Sequence, residues 1–168
     1  MKKLLIIGGG RMGKDTVADL LCEKFGMTAK SSSEFACEKF IFEEVKDELG
    51  YNTPEECYLD RHKHRDLWFN MISGYNLKDP SKLAVELIST HDIYVGMRSS
   101  IELEGCLDKG LFDYIIYVDA SDRISYREPN SSNNITSEAA DIIIYNNGTL
   151  EELEAKVDTL YYEVLNYV

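Results

Sequence analysis

Gly8-Gly9-Gly10-Arg11-Met12-Gly13-Lys14-Asp15-Thr16 stands between two segments of different periodicity. Before it, Leu4-Leu5-Ile6-Ile7 is continuously apolar, as in a parallel strand covered on both faces. After it, Val17, Leu20, Leu21 and Phe25 recur at helical spacing. Strand, glycine-rich turn and helix, with the spacing G-x-x-x-x-G-K, is the context a phosphate-binding P-loop requires. One position departs from the motif. Asp15 follows the lysine where Ser or Thr is usual, and the hydroxyl comes one residue later, at Thr16.

The residue types fit that chemistry. Glycines let backbone N–H groups turn inward around an oxyanion with no Cβ in the way. A helix starting at the loop points its partial positive end at the same anion. Lys14 adds a full charge with reach to β- and γ-phosphates, and a hydroxyl at the helix start suits Mg2+. Gly10, Arg11, Met12, Gly13, Lys14, Asp15 and Thr16 are therefore the candidate ATP-binding residues, with Arg11 facing either ATP or solvent.

Outward from the loop, strands and helices alternate. Residues 3–8 read as the first strand, 13–25 as the first helix with Gly26 as its C-cap, and 27–30 as a weak second strand. A serine-capped helix runs from Glu34 to about Leu49, closed by Gly50. Thr53-Pro54-Glu55-Glu56 starts another. In the stretch that follows, Arg61, His64, Arg65 and Trp68 share one helical face by their three-and-four spacing. A helix opens at Asp79-Pro80. Residues 92–97 form a strand ending in Arg98, and a helix spans 99–109. Tyr114 to Val118 and Asp141 to Tyr145 are the last strands, separated by a polar loop over 121–140. Thr149 and Glu152 make a capping box for a C-terminal helix. This alternation defines an α/β chain with a parallel sheet, with ligands at the carboxyl ends of its strands.

The totals bound the partners. A chain of 168 residues fits one domain, and 44% apolar with 29% charged residues is ordinary for a soluble globular protein. A net charge of −12 argues against broad electrostatic binding to nucleic acid or an anionic membrane, while leaving room for a cationic cleft. Cys22, Cys37, Cys57 and Cys106 form no C-x-x-C pair. With no secretory signal, they read as reduced thiols of a cytoplasmic protein. No stretch is apolar enough to span a membrane.

The loop and the second half together resemble a family, the deoxynucleoside monophosphate kinases of tailed bacteriophages. It is a branch of the nucleoside-monophosphate-kinase-like P-loop fold. The residues that carry the resemblance are Gly13-Lys14-Asp15-Thr16, the strand end Arg98 with Glu102 four residues on, Ile135-Thr136-x-Glu138, and the run from Asp141 to Leu153. It is good over about residues 4–20 and 92–160 and weak over 27–90. It implies a five-stranded parallel sheet of order 2-3-1-4-5 with helices on both faces. The acceptor-binding helical part falls at about 31–90 and a short lid at about 121–138. It implies transfer of the γ-phosphoryl of ATP to a deoxynucleoside 5'-monophosphate, with Mg2+, giving ADP and a diphosphate. It places the protein in the cytoplasm, the host's if viral, and leaves a homodimer open. Asp122-Arg123-x-x-x-Arg127 is similar to the lid motif of adenylate-kinase-like enzymes, where the first arginine packs on adenine and the second meets the phosphates. Thr16 matches the threonine of the GKGT variant of the loop. Gly96 stands where the family commonly has an acidic residue, so Asp15 joins Thr16 as a candidate metal ligand.

Phosphoryl transfer needs positioning and charge neutralisation more than covalent chemistry, so the basic residues are the natural candidates. Lys14, Arg98 and Arg127 are assigned to catalysis and Arg123 to ATP. Arg65, with Arg61 as second choice, is assigned to the acceptor phosphate, with Arg98 beside them. Ser32 either contacts the acceptor or caps the following helix. Trp68 either stacks on a base or belongs to the core. His62 and His64 have no third ligand at a metal-binding spacing and read as surface residues. Two other functions stay open at this point: a kinase of another small phosphorylated metabolite, and a non-metabolic ATP-binding module.

Overall fold

The computed structural model describes residues 1–127, 129 and 133–166. Its sheet has five parallel strands: β1 (Leu4–Ile7), β2 (Ala29–Ser31), β3 (Ile93–Val95), β4 (Tyr114–Asp119) and β5 (Ile142–Tyr145). They lie in the order β2-β3-β1-β4-β5, as expected. β1 is central, with Ile6 opposite Val95 on one side and Ile116 on the other.

Alternation along β1 sends its side chains to opposite faces. Leu4 and Ile6 pack on α1 (Lys14–Phe25) and α8 (Leu150–Leu160) through Val17, Leu21, Val157 and Leu160. Leu5 and Ile7 pack on α6 (Lys82–Ile88) and α7 (Ser100–Asp108) through Ala84, Leu87, Leu103 and Cys106. All four β1 residues are buried, which is why this strand reads as an unbroken apolar run. A third cluster gathers Cys37, Ile41, Cys57 and Trp68. It belongs to the helices between β2 and β3: α2 (Ser32–Ala36), α3 (Phe42–Leu49), α4 (Pro54–Leu59) and α5 (Arg65–Tyr75). Among the described residues no helix is long and apolar enough to cross a membrane.

Helix ends follow the sequence closely. Gly26 and Gly50 close α1 and α3 in the left-handed conformation, at φ 69° and 76°. Thr149 and Glu152 make the full capping box of α8. At α4 the box is incomplete: Thr53 accepts from Glu56 N, but the Glu56 carboxylate takes the backbone N–H of Asn52 at 2.7 Å.

Two expectations are corrected. The helix predicted from 34 to 49 contains a π turn, Cys37–Ile41, between α2 and α3. Both Cys37 and Ile41 at its ends are fully buried. The shared helical face of Arg61, His64, Arg65 and Trp68 does not form. Arg61–Lys63 is a 3-10 turn and His64 is non-helical, with φ −130° and ψ 38°. The Asp60 carboxylate organises that break. It accepts from Tyr51 Oη at 2.7 Å, pairs with Lys63 at 2.5 Å and lies 3.7 Å from His64.

Candidate active site

The glycine loop is shaped by two positions where no side chain fits. Gly8 has φ 150°, and a Cβ there would lie 2.6 Å from the Val118 carbonyl oxygen. Gly13 has φ 98°, and a Cβ there would collide with the Asn146 amide. Between them Arg11 adopts a left-handed φ of 64°, an uncommon state for a non-glycine residue. Gly13 caps α1 without a side-chain hydrogen bond, so the helix start is lined by backbone alone. Lys14 is buried, and its Nζ donates to the Gly9 carbonyl at 2.8 Å. Asp15 and Thr16 follow in the first turn, both exposed. The negative charge of Asp15 helps burial to raise the pKa of Asp19 one turn on.

Residues after β4 and β5 brace this loop. Met12 is buried, and its sulfur accepts from Ala120 N at 3.2 Å. Asn146, immediately after β5, is buried and donates through Nδ2 to the Met12 carbonyl at 3.0 Å. Its own carbonyl accepts from Arg123 Nε and Nη2, both at 3.2 Å. Arg127 is exposed and turned onto backbone carbonyls of its own segment: Ile124 at 2.6 Å, Tyr126 at 2.8 Å and Ser121 at 3.3 Å. Of the predicted lid, 128 and 130–132 lie outside the described residues.

On the other half of the sheet, a cavity of about 770 Å³ opens beside the carboxyl ends of β1 and β3. Gly10, Arg11, Ser32, Arg61, Arg65, Trp68 and Arg98 all line it. The helix break at His64 therefore leaves Arg61 and Arg65 in one wall although they share no helix. Arg61 is held by the Tyr58 carbonyl at 2.9 Å, with its guanidinium 3.9 Å from the Tyr58 ring. Ser32 Oγ donates to the Gly96 carbonyl at 3.4 Å, while the cap of α2 is Ser31, which accepts from Glu34 N. Trp68 is 6% exposed, so it is both core and cavity wall. Met12, Gly13, Lys14, Asp15, Thr16, Arg123 and Arg127 are not among the residues that line this cavity. Arg123 and Arg127 follow β4, on the far half of the sheet.

Sequence reasoning missed three participants. Asn146 had one signal, a polar residue directly after a strand at the ligand-bearing edge. Tyr126 lies under Arg11, whose guanidinium is 4.9 Å from its ring centre, and both line the cavity. Tyr94 reads as core from its strand, yet it reaches the cavity wall and donates to Glu102 Oε1 at 2.6 Å. Burial raises Glu102 to about 7, with the Tyr94 hydrogen bond opposing. Burial and the same carboxylate raise the Tyr94 hydroxyl well above its ordinary value.

No protein-family model matches the sequence, and no curated protein matches it. Solved structures do match the fold along nearly the whole chain. Shikimate kinase from Acinetobacter baumannii in complex with shikimate is 13% identical, with a TM-score of 0.54 over 99% of this chain and 96% of that one. TT1252 from Thermus thermophilus is 18% identical, with a TM-score of 0.53 over 97% of each chain. Dephospho-CoA kinase from Campylobacter jejuni is 12% identical, with a TM-score of 0.51 over 96% of each chain. With the 2-3-1-4-5 sheet, these likenesses define the fold as that of the nucleoside-monophosphate-kinase-like P-loop proteins.

Proposed function

We propose that this chain is an ATP-dependent kinase whose acceptor is a nucleoside 5'-monophosphate, in its deoxy form. One observation carries the reading: a single cavity meets the phosphate loop at Gly10 and Arg11 and has Arg61, Arg65, Arg98 and the Trp68 ring in its walls. Cations suit a phosphate, and an aromatic, largely apolar wall suits a planar base.

The loop fits a triphosphate. Gly8 and Gly13 let the loop pack against the Val118 carbonyl and the Asn146 amide, where a Cβ would collide, and Lys14 stands buried at the helix start. On γ-phosphate arrival Lys14 exchanges its bond to the Gly9 carbonyl for a charge-assisted one. Arg123 is held at the end of β5, where an adenine would lie outside the loop. Thr16 or Asp15 would hold Mg2+ with the phosphates and water; the metal neutralises charge on the transferring group. In the transfer, an oxygen of the acceptor phosphate bonds to the γ-phosphorus while the bond to the β–γ bridging oxygen breaks, leaving ADP. Arg98 and Arg65 bring the two anions together against their repulsion.

A coupled ADP assay over the common deoxy- and ribonucleoside monophosphates tests the proposal. ADP release dependent on ATP, Mg2+ and one of these acceptors is expected. No turnover with any of them overturns it. The fold shared with a shikimate kinase and a dephospho-CoA kinase supports a second reading, a kinase of another small metabolite. Turnover only outside the nucleotides would establish that one.

A further inference from the structure

Glu102 is the acidic residue in the wall of the acceptor cavity, and it is 7% exposed. Burying a carboxyl group carries a desolvation cost, and a side chain kept there needs hydrogen-bond partners to offset it. Among the described residues its one hydrogen-bond partner is Tyr94, which donates to Oε1 at 2.6 Å. No buried side-chain oxygen or nitrogen in the described protein lacks a partner. Oε2, which makes no bond, is therefore open to the cavity. The geometry is that of an oriented acceptor: one oxygen fixed by a fully buried tyrosine on β3, the other presented to whatever fills the cavity that Trp68 and Arg98 also line.

We propose that Glu102 reads the base of the acceptor, Oε2 accepting a hydrogen bond from an exocyclic amino group, so that amino-bearing nucleotides are preferred over thymine and uracil nucleotides. This rests on the nucleotide reading above. The chemistry separates the bases. The ring N–H of thymine or uracil is flanked by two carbonyl oxygens, and their lone pairs repel a carboxylate held close. The amino groups of adenine, cytosine and guanine have no such pair of flanking oxygens. Tyr94 makes the reading selective, because a carboxylate anchored at one oxygen cannot swing away from a mismatched edge. Glu102 thus touches the part of the acceptor remote from the reacting phosphate and acts on specificity.

The test compares amino and desamino acceptors with the wild-type enzyme at a pH above about 7, where Glu102 is ionised: dGMP against dIMP, dCMP against dUMP, and dAMP against the purine deoxyribonucleotide lacking the amino group. The best acceptor is expected to bear the amino group. Its desamino partner should lose roughly 10- to 100-fold in kcat/KM, the range of a lost hydrogen bond to a charged group. Glu102→Gln and Tyr94→Phe should shrink that ratio while leaving the KM for ATP unchanged. A thymine or uracil nucleotide as best acceptor, or a ratio near one in the wild-type enzyme, overturns the proposal and leaves the nucleotide kinase standing. A ratio that survives intact in a folded Glu102→Gln enzyme overturns it equally. No turnover of any nucleotide overturns both readings.

Discussion

Asn146 donates to the Met12 carbonyl at 3.0 Å, joining the end of β5 to the middle of the glycine loop across 134 residues of chain. The same amide occupies the space a Cβ on Gly13 would need. Asn146→Ala leaves a buried carbonyl unpaired and should cost about 1–3 kcal/mol. Asn146→Asp should cost more, since a carboxylate would then face that carbonyl. Denaturant melts measure both, and a rise in the KM for ATP should accompany them.

Gly13 and Gly26 both have positive φ, at 98° and 69°. Nothing lies within 4 Å of a Cβ on Gly26, whereas Gly13 meets Asn146. Gly26→Ala should therefore cost about 1 kcal/mol of backbone strain and no activity. Gly13→Ala should damage both stability and ATP affinity. Equal melting temperatures for the two variants would contradict this account of the loop.

Lys14→Met should lower kcat by about 10²- to 10³-fold, the scale of removing one preorganised contact to transition-state charge. Thr16→Ala should weaken the Mg2+ dependence of the rate, and Asp15→Asn should leave it nearly unchanged. Full Mg2+-dependent activity in Thr16→Ala would reassign the metal to Asp15. A Mg2+ titration of the rate at saturating ATP decides between them.

Arg65 lines the cavity, Arg123 is held on the Asn146 carbonyl after β5, and their variants should separate the two proposed substrates. Arg65→Ala should raise the acceptor KM roughly tenfold with little change for ATP, the loss of one exposed charge-assisted contact. Arg123→Ala should do the reverse. Steady-state kinetics with each substrate varied in turn gives the comparison.

Glu102 is raised from 4.5 to about 7 by burial. The folded state therefore holds this proton more tightly than the unfolded chain. Its contribution to stability is complete below about pH 4.5 and is lost as pH rises through about 7, amounting to about 3 kcal/mol. Glu102→Gln removes that dependence. The stability of the variant relative to wild type should grow between pH 4.5 and 8 in paired melts. A constant difference across that range would mean that the carboxyl titrates as an ordinary exposed glutamate.

What the sequence disclosed was local or periodic. The four apolar residues of β1, the glycine caps at 26 and 50, and the Thr149–Glu152 box each follow from neighbours a few positions away. The sheet order came from the family resemblance and is the observed one. The cavity arginines were found because phosphoryl transfer calls for cations, and Arg98 stands at the carboxyl end of a strand. What stayed hidden depends on residues far apart in the chain. The break at His64 depends on Asp60 gathering Tyr51 and Lys63, which no helical periodicity encodes. Tyr94 looks like core because it is core, and only the packing of α7 on β3 brings Glu102 to its hydroxyl. Asn146 meets Met12 only once β5 is laid beside β4.

β1 is four residues long, and the glycine loop that follows it reaches the cavity through Gly10 and Arg11. Its ladders to β3 and β4 are fixed at Ile6 against Val95 and Ile116. A slip of one residue in either ladder would shift the two half-sites by about 3.3 Å, the rise of a strand. That is about the full separation at which reacting atoms must be held. The strand works as a ruler between the anions. Substitutions at Leu5 or Ile7, which touch neither ligand, are thus predicted to alter the spacing between donor and acceptor before they alter the affinity for either.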